Sequence, residues 1–129
     1  MKNKSCLMTK RKIIYLLSYL AYSAIYIARV NLTMSAPTLL TAGVLDTVEI
    51  GILGGAFSAV FASGRLVNGV LSDRVAPPFM IGGGLALCAA ANIAFGFFPP
   101  FIGIFLLWSA NAYAQSMLWG SMISMMSQF

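Results

Sequence analysis

Residues 13–40, IIYLLSYLAYSAIYIARVNLTMSAPTLL, decide the fold. One charged residue, Arg29, interrupts a run longer than the ~20 apolar residues that cross a bilayer. Backbone amides find no water partner in hydrocarbon, so such a run has to be helical. Three more runs follow, at roughly 50–71, 79–98 and 101–126. Short polar segments join them: 41–49 with Gly43, Asp46 and Glu49; 72–78 with Asp73, Arg74, Pro77 and Pro78; and Pro99-Pro100. The expected fold class is an all-α integral membrane protein of four transmembrane helices, each antiparallel to its predecessor.

Composition agrees. The chain is 60% hydrophobic and 9% charged, against about 45–50% and about 25% for an ordinary soluble domain, and its mean hydropathy is +0.88. The net charge of +5 is concentrated ahead of the first run, in Lys2, Lys4, Lys10, Arg11 and Lys12. Residues 1–12 therefore read as a basic tail and 13–129 as a transmembrane bundle. A basic tail of this kind is retained in the cytoplasm and is no nucleic-acid footprint, so the N-terminus is expected inside, with the Arg74 loop inside and the other two loops outside. A cleaved signal peptide is disfavoured by the length of the run and the lack of an Ala-x-Ala site. The sequon Asn31-Leu32-Thr33 falls within a span, out of reach of the modifying enzyme.

The chain has no His, and Cys6 and Cys88 are too few and too far apart in character to build a zinc site. Both read as free thiols, Cys88 as packing. No ATPase motif, nucleophile–base pair or metal cluster is present. No catalytic residue, metal or cofactor is expected, and the chain does not read as an enzyme.

The chemistry sits in Arg29 and Arg65. At 1.5 Å per residue Arg29 lies about 16 Å from the outer end near Leu40 and Arg65 about 13 Å from the inner end near Arg74. A charge at a helix centre costs about 2.5–3.5 kcal/mol, so an intramembrane Arg is expected to face protein or a wet cavity. The three acids, Asp46, Glu49 and Asp73, all fall in loops, so no carboxylate in these spans neutralises either arginine. Their counter-charge is either an acid elsewhere in a larger protein or an anionic cargo, and a guanidinium fork suits phosphate.

Tyr15, Tyr19, Tyr22, Tyr26 and Arg29 recur at steps of four and three and form one helical stripe. Tyr22 and Tyr26 are expected to line a cavity beside Arg29, and Tyr15 to lie at the inner interface. In the second run Gly51, Gly55, Ser58, Ala62, Arg65 and Gly69 share a stripe of small residues that predicts close helix packing. In the fourth, Asn111 and Gln115 are expected either to bond cargo or to join helices, and Asn92 in the third to join helices.

These residues resemble the organophosphate:phosphate antiporters of the major facilitator superfamily. The resemblance covers essentially the whole chain. It rests on Tyr22-x3-Tyr26-x2-Arg29-x-Asn31, on Gly64-Arg65, on Gly69-Val70-Leu71-Ser72-Asp73-Arg74, and on Asn111-x3-Gln115-x3-Trp119. It implies that Arg29 grips a substrate phosphate together with a second arginine in a seventh helix, that Arg65 lines the same cavity, and that Gly69, Asp73 and Arg74 belong to a cytoplasmic gating and packing loop. Pro78 stands where relatives tend to have a further basic residue, and Gly120 where many have Pro after the Trp.

The resemblance further implies a twelve-helix fold in two six-helix halves, of which this chain would be a partial N-terminal bundle, with eight more helices as partners. The implied function is exchange of a phosphorylated organic anion, such as glycerol 3-phosphate or a sugar phosphate, for inorganic phosphate across a bacterial cytoplasmic membrane. Two rival expectations are a membrane sensor of sugar phosphates that signals to a partner kinase, and a small oligomeric four-helix membrane protein.

Overall fold

A computed structural model describes residues 2–97 and 100–128. Phe98, Pro99 and Phe129, where the end of the third run, half of the Pro-Pro break and the end of the chain were placed, lie outside the described residues. The elements are α1 (Lys2–Thr41), α2 (Thr47–Leu71), α3 (Pro77–Phe95) and α4 (Phe101–Ser127), each long and apolar enough to cross a membrane.

Helix α1 is continuous over 40 residues and takes in the basic stretch that composition set apart as a tail. The physical reason is local. Residues 2–12 contain no Gly or Pro, and Lys, Arg, Leu and Met are good helix formers. The change at Ile13 is one of solvent and not of conformation. At 1.5 Å per residue the helix is about 60 Å long, twice the ~30 Å of hydrocarbon, so its basic end stands outside the apolar slab. Pro37 lies inside the helix without ending it.

Helix α2 starts three residues before the apolar run because of a capping box. Asp46 Oδ1 accepts the Thr47 N–H at 2.7 Å, and Glu49 Oε2 accepts the Asp46 N–H at 2.8 Å. The turn before it needs Gly43, at φ +69°, in the left-handed region that L side chains rarely adopt. Helix α3 opens on Pro77 at its first turn, where a missing N–H leaves nothing unsatisfied.

Side-chain contacts establish the directions. From α2 to α4, Phe57 meets Trp108 and Asn68 meets Ser116, rising together. From α3 to α4, Cys88 meets Asn111 and Phe95 meets Trp108, running oppositely. Asn31 of α1 meets Asn92 of α3, and Tyr22 meets Trp119. Consecutive helices are thus antiparallel, with α4 packed between α2 and α3 while α1 leans more lightly on α3 and α4.

Two glycines make the close approach to α4 possible. A Cβ on Gly64 would collide with the Ser116 hydroxyl and lie 3.0 Å from its Cβ, and one on Gly84 would collide with Leu118 and lie 2.9 Å from the Ala114 carbonyl oxygen. The packing face of α2 is Leu53, Phe57, Gly64 and Asn68. Against the other three described helices the stripe expected to pack, from Gly51 to Gly69, is largely exposed, and a Cβ at Gly51, Gly55 or Gly69 would meet nothing within 4 Å. Small residues permit close approach without causing it; the larger apolar side chains on the neighbouring face decide which side is buried.

The core divides along the bundle. One cluster holds Leu39, Leu53, Phe57, Phe95, Ile104 and Trp108. The other, toward the opposite end, holds Ile25, Leu118 and Met122 with Tyr22 packed against them. The arginines lie between the two.

Candidate functional site

A cavity of about 230 Å³ opens between α1, α2 and α4. Five of the residues singled out as substrate-binding line it: Tyr22, Tyr26, Arg29, Arg65 and Gln115. The remaining lining is Ile25, Phe61, Leu118, Trp119 and Met122. A larger groove of about 800 Å³ runs between α1 and α3, but its walls are almost wholly apolar and hold no cation, so it is no match for an anion.

Aromatic faces hold the two guanidinium groups in place. Arg29 Cζ stands 4.8 Å from the ring centroid of Phe61 and 5.4 Å from that of Phe57. Arg65 Cζ stands 5.4 Å from the Phe61 centroid and 5.1 Å from that of Trp119. One ring therefore serves both cations, which lie no farther apart than the sum of their distances to it. Such contacts are worth about 0.5–1 kcal/mol each when exposed and about 2 when desolvated. They leave the N–H edges of the guanidinium groups available, because a cation over a ring face does not use them as a carboxylate would.

No acid competes. Asp46 and Glu49 are engaged at the start of α2, and Asp73 lies in the turn after it. The cavity wall also holds an orphan. Gln115 is 3% exposed, and neither its Nε2 nor its Oε1 has a partner. Leaving a buried amide unpaired costs about 1–3 kcal/mol per group; the Cys88 thiol of α3 stands close enough to interact with this side chain, which keeps capacity for a further partner. Tyr22 donates to the Tyr26 hydroxyl at 3.2 Å, and its ring lies 4.9 Å from that of Tyr26 and 5.9 Å from that of Trp119. The upper half of the tyrosine stripe thus forms one wall, while Tyr15 and Tyr19 border an adjoining surface groove that shares Tyr22, Trp119 and Met122 with the cavity.

Asn111 does not join this lining. It is buried between α3 and α4, where its Oδ1 accepts from Cys88 Sγ at 2.8 Å and from Asn92 Nδ2 at 3.4 Å. Gly69, Asp73 and Arg74 lie away from the cavity, at the α2–α3 connection. There Ser72 Oγ donates to the Gly69 carbonyl at 2.8 Å, and the Arg74 N–H donates to Leu71 O at 3.0 Å. Sequence reasoning missed Phe57 and Phe61 as seats for the arginines. The spacing Phe61-x3-Arg65, one helical turn, was the available signal.

Four antiparallel helices, each long and apolar enough to cross a membrane, with a small cationic cavity between α1, α2 and α4, define a multi-pass membrane protein. Comparison with known proteins carries this to a family. The chain is 33% identical over 111 residues to the membrane sensor protein UhpC of Escherichia coli K12, covering 86% of this chain and 25% of that one. It is 30% identical over 105 residues to a glycerol-3-phosphate transporter of Haemophilus influenzae, covering 78% and 22%. It is 29% identical over 101 residues to a probable hexose phosphate transport protein of Chlamydia trachomatis, again covering 78% and 22%. By this homology the chain belongs to the organophosphate:phosphate antiporter family, whose bundle it shares in part. It spans about a quarter of the length of the curated relatives it matches. Those relatives are transporters and sensors, not enzymes. No family model matches the chain. No solved structure matches it either.

Proposed function

We propose that this chain forms the arginine-bearing side of a carrier that exchanges a phosphorylated organic anion for inorganic phosphate. The observation that carries the reading is the pair Arg29 and Arg65 opening on one cavity with the unpartnered Gln115 amide in its wall. A phosphate group matches each part: negative charge for two guanidinium groups, and acceptor oxygens for the Arg forks, the Gln115 Nε2 and the tyrosine hydroxyls. The ring faces of Tyr22, Tyr26 and Trp119 suit the apolar side of a three- or six-carbon body.

The mechanism is alternating access. An empty cavity carrying two cations is costly in a membrane, so the loaded form reorients more readily than the empty one, and exchange is favoured over net flux. The rest of the site would come from the further helices of the twelve-helix arrangement. The chain would sit in a bacterial cytoplasmic membrane, with the basic start of α1 on the cytoplasmic side and Gly69, Asp73 and Arg74 in the loop that seals that side. Asn111 would support the wall from behind.

Sensor proteins among the relatives favour a second reading, in which the same cavity binds a phosphorylated ligand without carrying it across. Vesicles containing the protein at its native length separate the two. Labelled phosphate trapped inside should exit only when phosphate or an organophosphate is supplied outside, and Arg29→Lys should reduce that exchange at least about 100-fold, because a point charge cannot replace the fork. Binding without flux would select the sensor. Unchanged exchange in the Lys variant would remove Arg29 from the site.

A further inference from the structure

A line of amide groups crosses the bundle behind the cavity. Asn31 Nδ2 of α1 donates to Asn92 Oδ1 of α3 at 2.9 Å. Asn92 Nδ2 in turn donates to its own helix at Cys88 O, 2.8 Å, and reaches Asn111 Oδ1 of α4 at 3.4 Å. Cys88 Sγ donates to the same Asn111 oxygen at 2.8 Å. None of Asn31, Asn92, Cys88 and Asn111 lines the cationic cavity.

The helical screw connects this line to the site. Arg29 and Asn31 are two residues apart, roughly 200° around α1, so they face nearly opposite ways. Asn31 points at α3, and Arg29 points at Phe57 and Phe61 of α2. The apolar contacts of α1, through Ile25, Leu32 and Leu39, hold the helix against its neighbours, but they are non-directional and tolerate rotation. A hydrogen bond does not, least of all in hydrocarbon, where no water offers a substitute. Turning α1 by about 20° would carry a group at the ~5–6 Å radius of the helix by roughly 2 Å, several times the ~0.5 Å within which a binding contact stays productive.

We infer that Asn92 is a positioning residue: by holding Asn31 it sets the rotation of α1 and thereby the heading of Arg29 into the cavity, without itself touching the anion. Its own anchor is the Cys88 carbonyl within α3, and Asn111 closes the line on α4, the helix that carries Gln115 one turn later. The inference rests on Arg29 belonging to the anion site, but the rotation of α1 is measurable without any anion.

Three variants of this chain that each add one cysteine beside the buried native Cys88, Arg29→Cys, Ala28→Cys and Val30→Cys in a Cys6→Ser background, are reconstituted in lipid nanodiscs and treated with a charged methanethiosulfonate reagent. Labelling is then located by peptide mass. Adding Asn92→Ala should slow labelling at position 29 about fivefold or more and speed it at one of the flanking positions, since reactivity follows exposure. Asn31→Ala breaks the same bond from α1 while leaving the Asn92–Cys88 bond intact. It should give the same shift, and the double variant no more. It also serves if Asn92→Ala fails to accumulate. Equal rates at all three positions with and without Asn92, or an equal rise at all three, would overturn the inference.

In the native-length protein, Asn92→Ala should raise KM for phosphate about tenfold with kcat held within about twofold, and should add nothing in an Arg29→Lys background. An additive effect there would also overturn it. Absence of phosphate exchange or binding in the unaltered protein, with the labelling shift intact, would remove the anion reading and leave Asn92 as the residue that orients α1.

Discussion

The guanidinium carbon of Arg29 stands 4.8 Å above the centre of the Phe61 ring, on a different helix. In a span without acids this ring is the nearest thing to a counter-charge, and Arg65 leans on it as well. The arrangement stabilises two cations without neutralising either, as the proposed exchange of an anion requires.

Replacing Phe61 by Leu keeps the bulk and removes the ring. Two cation–π contacts are lost, each about 0.5–1 kcal/mol at a solvated site, so KM for phosphate exchange is expected to rise by about 5- to 30-fold. Phe61→Tyr, which keeps the π face, should stay within about threefold of the original. Equal values for the Leu and Tyr variants would show that the ring merely fills space.

Gln115→Leu separates stability from function. The buried amide has no partner on either atom, so replacing it with a side chain of similar size should raise thermal stability of the empty protein by about 1 kcal/mol or more. The same change deletes a donor from the cavity wall and should weaken anion binding about tenfold. Thermal unfolding in detergent, with and without phosphate, reads both. Destabilisation of the empty form would mean that Gln115 is already satisfied.

Gly84→Ala drives a methyl group toward the Ala114 carbonyl oxygen, 2.9 Å away, and into Leu118. A backbone atom cannot swing aside, so the α3–α4 contact must open, at about 1–3 kcal/mol. Gly54→Ala, where a Cβ meets nothing within 4 Å, should be neutral or stabilising by about 0.5–1 kcal/mol, since alanine is the better helix former. Comparing the unfolding midpoints of the two variants checks the contrast.

Much of this was readable before any coordinates. Run lengths and short loops announced four antiparallel helices, and the steps of four and three put Tyr22, Tyr26 and Arg29 on one face. What stayed hidden depends on differences smaller than helical periodicity resolves. Asn111 and Gln115 are only about 40° apart on α4, yet one is bonded into the α3 contact and the other faces the cavity. Gly64 and Gly51 look alike in a string of letters, but only the first has Ser116 against it. Hydropathy located the start of a span at Ile13, and it has no means of locating the start of a helix, which runs on through lysines and arginines in water.

Helix α4 is wedged between two backbones at Gly64 and Gly84, whereas α1 touches the rest lightly. That asymmetry bears on heritable variation. A change of size at Ala114, Ser116 or Leu118 has to be answered from α2 or α3 in the same lineage, so these positions should drift in concert or not at all. The exposed residues of α1 have no such partner among the described helices, so nothing within this bundle obliges them to change together.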